Sequence, residues 1–226
     1  MKKYRLLDND TIMFLGRKLF RIQALISFGD VKEGDLGGYI EKEGNLAHEG
    51  DAWVYCDALV YGDARIFGNA HIYGDARIFD NAHIYGDARI FGNAHIYCDA
   101  LVFGNARVFG NAQIYGDARI FGNALIYGVA RVSGDARVYG DALVSDDAAI
   151  LCVKGIGSAF RHTTVCMTKS GVPFVSCGCF SGTLSEFEAR VKKTHGDSKY
   201  AKEYQLFIEL VKLHFDMEDG KDGEIA

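Results

Sequence analysis

Residues 61–96 read YGDARIFGNAHIYGDARIFDNAHIYGDARIFGNAHI. One six-residue unit recurs: alanine, a variable residue, Ile or Val, an aromatic, then Gly and Asp or Asn. Working outward, the aliphatic position falls every six residues from Val54 to Ile150, and alanine stands two residues before it from Ala52 to Ala148. Seventeen units therefore run without a break.

A six-residue period does not fit a helix, whose faces recur at about 3.6 residues. Within each unit the first four residues alternate small-in, polar-out, aliphatic-in, aromatic-out, which is the two-residue alternation of a strand. The Gly-Asp or Gly-Asn pair is turn chemistry. Each unit thus predicts one short strand and one corner. Three corners close a triangle of about 18 residues, and successive triangles stack roughly 4.8 Å apart. Alanine suits the narrow space near a corner, where a larger side chain would overpack. Cys56, Asp80, Cys98 and Asp146 also fill the glycine slot. The expectation is that this corner does not demand a glycine-only conformation.

The Ile-x-x-x-Ala-x pattern resembles the hexapeptide repeat of left-handed parallel β-helix proteins, whose best-known members are acyltransferases. Tyr55, Phe67, Tyr73 and Phe91 depart from it, because the slot after the aliphatic is small or acidic in that family. The left hand of the coil is what the resemblance implies; the period alone also allows a right-handed triangular coil of the bactofilin sort. The whole layout resembles uncharacterised phage- or prophage-type chains and the YdcK-like group labelled transferases.

The fold expected is mainly β, with three parts. Residues 1–48 form an N-terminal β cap, residues 49–151 the hexapeptide-repeat parallel β-helix, and residues 152–226 a small ββαα module. In the cap, KYRLL and TIMFLGRKLFRIQAL read as strands with Gly16 as a turn. Ile40 and Leu46 are six apart and Val54 follows after eight, so an imperfect first coil with a two-residue insertion begins near Leu36. In the C-terminal module, a hairpin turns around Lys169, Ser170 and Gly171. GTLSEFEARVKKTHG reads as a helix with Thr183 and Glu186 as its capping box and Gly196 as its stop. A second amphipathic helix follows, with Tyr204, Phe207, Ile208, Val211 and Phe215 near one face. The tail MEDGKDGEIA reads as frayed.

Composition narrows the functional classes. The 226 residues carry a net charge of −5, against bulk nucleic-acid binding. No stretch approaches the length of a membrane span, and Asp8, Asn9 and Asp10 interrupt any signal-peptide core. The six cysteines form no CxxC pair, which points to free thiols and a cytoplasmic setting.

Stacking places residue n beside n+18, so aromatics form ladders on all three faces. Tyr55, Tyr73, Phe91 and Phe109, beside Arg89 and Arg107, make one candidate binding surface. Stabilisation of neighbouring strands explains the same ladders without a ligand. His71, His83 and His95 are candidate catalytic bases, but a spacing of 12 sends them to three different faces. They could meet only across subunits, for instance in a trimer. Cys177, Cys179 and His195 are residue types that ligate zinc, but Cys-Gly-Cys places both thiols on one strand face, unlike zinc knuckles. No metal site is therefore expected.

The residues favour a non-catalytic scaffold or binding module, associating as a dimer or trimer through a β-helix face and needing no cofactor. A small anionic ligand is one partner for the Arg columns, which makes a nucleotide-like ligand trap a further reading. The family resemblance implies the alternative, an acyltransferase using acyl-CoA with a histidine base at a subunit boundary.

Overall fold

The computed structural model describes residues 1–217. The tail expected to fray lies outside the described residues from position 218 onward. The repeat region is a parallel β-solenoid with three sides. Each unit contributes a two-residue strand, such as Arg65–Ile66, His71–Ile72 or Arg77–Ile78. Strands pair in parallel with those one coil away: His71 with Arg89, Arg89 with Arg107, and Arg107 with Leu125. The coil-to-coil bonds recur with little variation. Arg65 N–H donates to Ala82 O at 2.9 Å, and Phe67 N–H to Ile84 O at 3.0 Å.

The interior follows from the alternation. Every alanine from Ala52 to Ala142 and nearly every aliphatic anchor from Val54 to Val144 is fully buried. Burying one aliphatic side chain contributes about 1.5–3 kcal/mol, so the column of anchors supplies most of the driving force. The aromatics stack as ladders. Phe67, Tyr85, Phe103, Phe121 and Tyr139 follow one another at ring-centroid spacings of 4.8, 4.8, 4.9 and 4.7 Å. Tyr61, Phe79, Tyr97 and Tyr115 form the second ladder. The third is broken: Tyr55 stacks on Tyr73 and Phe91 on Phe109, while Tyr73 instead meets His71. These rings are mostly half-buried, because each covers the next.

One expectation about the corners is corrected. Cys56, Asp80 and Cys98 have φ of 55°, 56° and 59°, the same left-handed region as their glycine counterparts near 70°. The corner demands that conformation throughout the coils, and these three residues accept its strain, about 1–2 kcal/mol for a side chain with a Cβ. Asp80 recovers part of it, since its carboxylate accepts from Cys98 N–H at 3.4 Å. Only Asp146, where the coils end, leaves this region, at φ −155°, and caps a short 3-10 turn. The corner amides and carboxylates form their own ladder: Asn105 donates to Asn123 at 3.3 Å, and Asn123 to Asp141 at 3.2 Å.

At the N-terminal end, β1 (Tyr4–Phe14) and β2 (Arg17–Ala24) form a hairpin turning at Leu15 and Gly16, and β3 (Leu36–Ile40) joins it antiparallel. This hairpin extends one of the three solenoid sheets. The two-residue insertion is visible in the register. Ile40 pairs with Val60 and Leu46 with Ile66, whereas Trp53 pairs with His71. The offset falls from 20 to 18 residues between Leu46 and Trp53. Buried Lys3 sits at this end, its Nζ donating to Ala52 O at 2.8 Å, and desolvation lowers its pKa to about 8.

At the other end, the expected hairpin is the centre of a four-stranded antiparallel sheet. Its strands are Ile150–Ile156, Arg161–Met167, Pro173–Cys177 and Phe180–Thr183. Ala142 bridges to Thr168, and Cys166 joins the solenoid core, so this sheet covers the last coil. Two helices pack on it, α1 (Leu184–His195) and α2 (Lys199–His214). Thr183 and Glu186 form the capping box of α1. Phe187, Tyr204, Phe207, Ile208 and Val211 build a second core with Val165 and Val175. No described helix is long and apolar enough to cross a membrane.

The corner geometry yields a paired prediction. A Cβ on Gly86 would lie 2.8 Å from Gly104 N. Gly86→Ala should therefore destabilise by more than the roughly 1–2 kcal/mol of conformational strain alone. Cys98→Gly should stabilise by about 0.5–1 kcal/mol through strain relief. Chemical denaturation of both variants checks this; a destabilised Cys98→Gly would contradict the corner assignment.

Candidate functional site

The repeat brings none of its histidines together. His71, His83 and His95 occupy strands of three different sheets. Their surroundings explain them structurally. His71 Nδ1 lies 3.0 Å from Tyr73 Oη, and burial pulls the pKa of His71 below the ordinary histidine range. Burial acts in the same direction on His95, helped by the nearby Arg77.

Arg89 and Arg107 are exposed and stand one above the other on the face that also carries Tyr55, Tyr73, Phe91 and Phe109. Among the described residues, neither guanidinium lies over an aromatic ring. The cation–ring contacts of the solenoid instead cluster at its N-terminal end, with Arg77 over Phe14 at 4.9 Å and Arg17 over Tyr61 at 6.0 Å.

The C-terminal module holds one cleft that gathers polar side chains from several segments. Arg161, Cys177, Cys179, Arg190, His195 and Tyr204 all line a space of about 230 Å³ between the sheet and α1. Two glycines make it. Gly178, at φ +61°, turns the chain after Cys177 and lets the Arg161 side chain lie against its backbone, where any Cβ would collide. Gly157, at φ +72°, admits the Tyr204 ring in the same way. Gly157 N–H also donates to Glu203 Oε2 at 2.9 Å, which ties α2 to this loop.

The floor of the cleft is a hydrogen-bonded cluster. Thr163 Oγ1 donates to Cys177 Sγ at 3.2 Å, and Tyr204 Oη lies 3.7 Å from the same sulfur. Desolvation raises the Tyr204 pKa well above the ordinary tyrosine range, so the phenol stays protonated and can donate. The His195 ring rests 5.6 Å from the Tyr204 ring.

The expected placement of the thiols is corrected here. Cys177 ends a strand and is buried, Gly178 turns, and Cys179 is exposed. The left-handed turn at Gly178 breaks the two-residue alternation that would have put both sulfurs on one face. Cys177, Cys179 and His195 line the same cleft, but among the described residues no three His, Cys, Asp or Glu side chains converge to hold a metal.

The chemistry the cleft offers is cationic. Arg161 and Arg190 supply the charge, His195 lies beside them, and no carboxylate lines the space among the described residues. Neither arginine there makes an ion pair with a described acidic residue. Two guanidinium forks and a phenol donor suit the oxygens of a small anion. Arg161 and Cys179 also border a second depression at the junction with the last coil, beside Arg137, Lys154 and His162. There His162 Nε2 lies 3.0 Å from Asp135 Oδ2 but is not aligned for a hydrogen bond.

Arg190 lies outside the residues that the sequence singles out. Phe187 and Val191 are buried on α1, whereas Arg190 and Thr194 are exposed beside them, so helical spacing puts the arginine at the edge of the buried stripe and does not mark it as a site residue.

Comparison with known proteins bears on the repeat alone. A family described as YdcK Beta solenoid repeat matches residues 100–116, 112–128 and 130–146. No curated protein matches the chain. The matched stretches all lie in the coils and cover less than half of the chain. The chain is thus similar to that solenoid family in its repeat architecture, and the likeness carries no chemistry for either end.

Proposed function

We propose that this chain is a non-catalytic binding scaffold, in which the solenoid is a rigid spacer and the C-terminal cleft receives a small anion. The observation that carries the reading is the convergence of Arg161, Arg190 and His195 in one cleft without a lining carboxylate among the described residues. A phosphate or carboxylate group would draw on charge-assisted hydrogen bonds from both guanidiniums, which are stronger than neutral ones. Screening by solvent limits the gain, so affinity should be modest and should fall with salt.

The solenoid supports a spacer role through its regularity. Coil-to-coil bonds, stacked rings and corner ladders satisfy each face internally, and both ends are covered by other segments. Association of two or three chains through an aromatic face, and a place in a larger phage-type assembly, fit such a spacer. Light scattering of the purified chain measures the first directly. The acyltransferase reading has only the resemblance of the repeat behind it. It would need subunits to bring together histidines that stand on separate faces.

Calorimetric titration with inorganic phosphate, pyrophosphate and AMP tests the cleft. The reading expects at least one of them to bind with an affinity that falls as salt rises. Arg190→Gln should weaken that binding about tenfold, a change of roughly 1.4 kcal/mol. Binding indifferent to Arg190→Gln, or acyl transfer from coenzyme A by the purified chain, would contradict the proposal.

A further inference from the structure

The aromatic ladders end differently at the N-terminal side. The ladder headed by Tyr61 is closed by the cap: Phe14 lies on it at 5.7 Å between ring centroids. The ladder headed by Phe67 is closed only at its far end, where Phe174 meets Tyr139 edge-on at 5.3 Å. Above Phe67 the next position in the column is Ala47. Its N–H donates to Ile66 O at 2.9 Å, in the same way that Phe67 N–H donates to Ile84 O. The Leu46–Ile66 bridge confirms the register. Ala47 therefore occupies a rung of the ladder and brings only a methyl group to it.

The space in front of that rung is a cavity of about 500 Å³, lined by Glu43, Ala47, His48, Arg65, Phe67 and His83. Its polar groups are distributed unevenly. Arg65 is exposed and has no ion-pair partner among the described residues, while the Glu43 carboxylate is already paired with Lys2. His48 Nδ1 accepts from Lys3 N–H at 3.3 Å, so in the neutral ring Nε2 carries the proton. That Nε2 is buried without a hydrogen-bond partner. Neutral rather than cationic His48 is favoured, since burial lowers its pKa.

We propose that this slot binds a small planar aromatic anion, whose ring supplies the missing rung on Phe67 and whose negative group pairs with Arg65. The ladder fixes the geometry the ring would adopt. Its rungs lie 4.7–4.9 Å apart and within 7° of parallel, so a flat ring above Phe67 continues an arrangement the protein repeats four times below it. Stacking on an aromatic face is favourable beyond the area it buries. A saturated ring of the same size and charge would meet Arg65 equally well but could not stack. The slot thus discriminates by flatness, and the arginine by charge.

Saturation-transfer NMR and calorimetry with indole-3-carboxylate test the proposal, with the saturated bicycle octahydroindene-1-carboxylate as the non-planar control of matching ring size and charge. Indole-3-carboxylate should bind at least tenfold more tightly than the control. Ala47→Phe should fill the rung, abolish this binding and raise the melting temperature. Arg65→Gln should weaken indole-3-carboxylate about tenfold and leave neutral indole unchanged, which keeps the test open should Ala47→Phe misfold. Arg190→Gln, in the C-terminal cleft, should change nothing, so this site fails or stands independently of that one. Equal binding of the control, no binding of indole-3-carboxylate, or insensitivity to Ala47→Phe in a folded variant would overturn the proposal. So would a wild-type oligomer that Ala47→Phe dissociates, because the slot would then hold a ring from a second copy.

Discussion

The parallel pairing of residue n with residue n+18 is the constraint on which the rest of this structure depends. It holds only if each unit turns through the same corner, because one corner of different shape would shift every later strand. The left-handed residue before each Asp or Asn supplies that corner, and close approach of the next coil's backbone explains why glycine dominates there. Given that register, burial of alanine and the aliphatic anchors follows from strand alternation, and like residues come to lie above like. Stacked rings and amide ladders are consequences of the pairing, and each adds to it.

The coils were legible because their signal is periodic and local. Alanine and Ile or Val at fixed spacing can satisfy only a short strand, and 18 residues per turn follow from three such strands. The spacing from Leu46 to Val54 showed even the insertion that sets the first coil apart. The corner conformation was misjudged because residue identity is a poor guide to φ where strain is tolerated. Cys56, Asp80 and Cys98 sit in a glycine geometry because the surrounding hydrogen bonds hold them there.

The C-terminal cleft was hardly legible. Its parts come from a loop at Gly157, a strand carrying Arg161, a turn at Gly178 and two helices. No spacing links these segments, and the two glycines that make room for Arg161 and Tyr204 look like ordinary turn residues. Cys177, Cys179 and His195 were noticed for their chemistry, yet their relation depends on a single left-handed turn that alternation could not reveal. The vacant rung at Ala47 was hidden for a different reason. It becomes visible only after the insertion is placed and the ladder is traced back through it. Both candidate sites therefore lie at the ends of the solenoid, where the repeat fails and side chains are no longer committed to neighbours of their own kind.

The most direct measurement of the central claim is the detection of scalar couplings across hydrogen bonds in the deuterated, isotope-labelled chain. The 18-residue register requires a coupling from the Phe103 amide nitrogen to the Ile120 carbonyl carbon, and from Arg107 to Ala124, as the bonds at 2.9 Å dictate. Couplings from these amides to carbonyls four residues back, or to partners at any other offset, would contradict the three-sided coil and the ladders built on it.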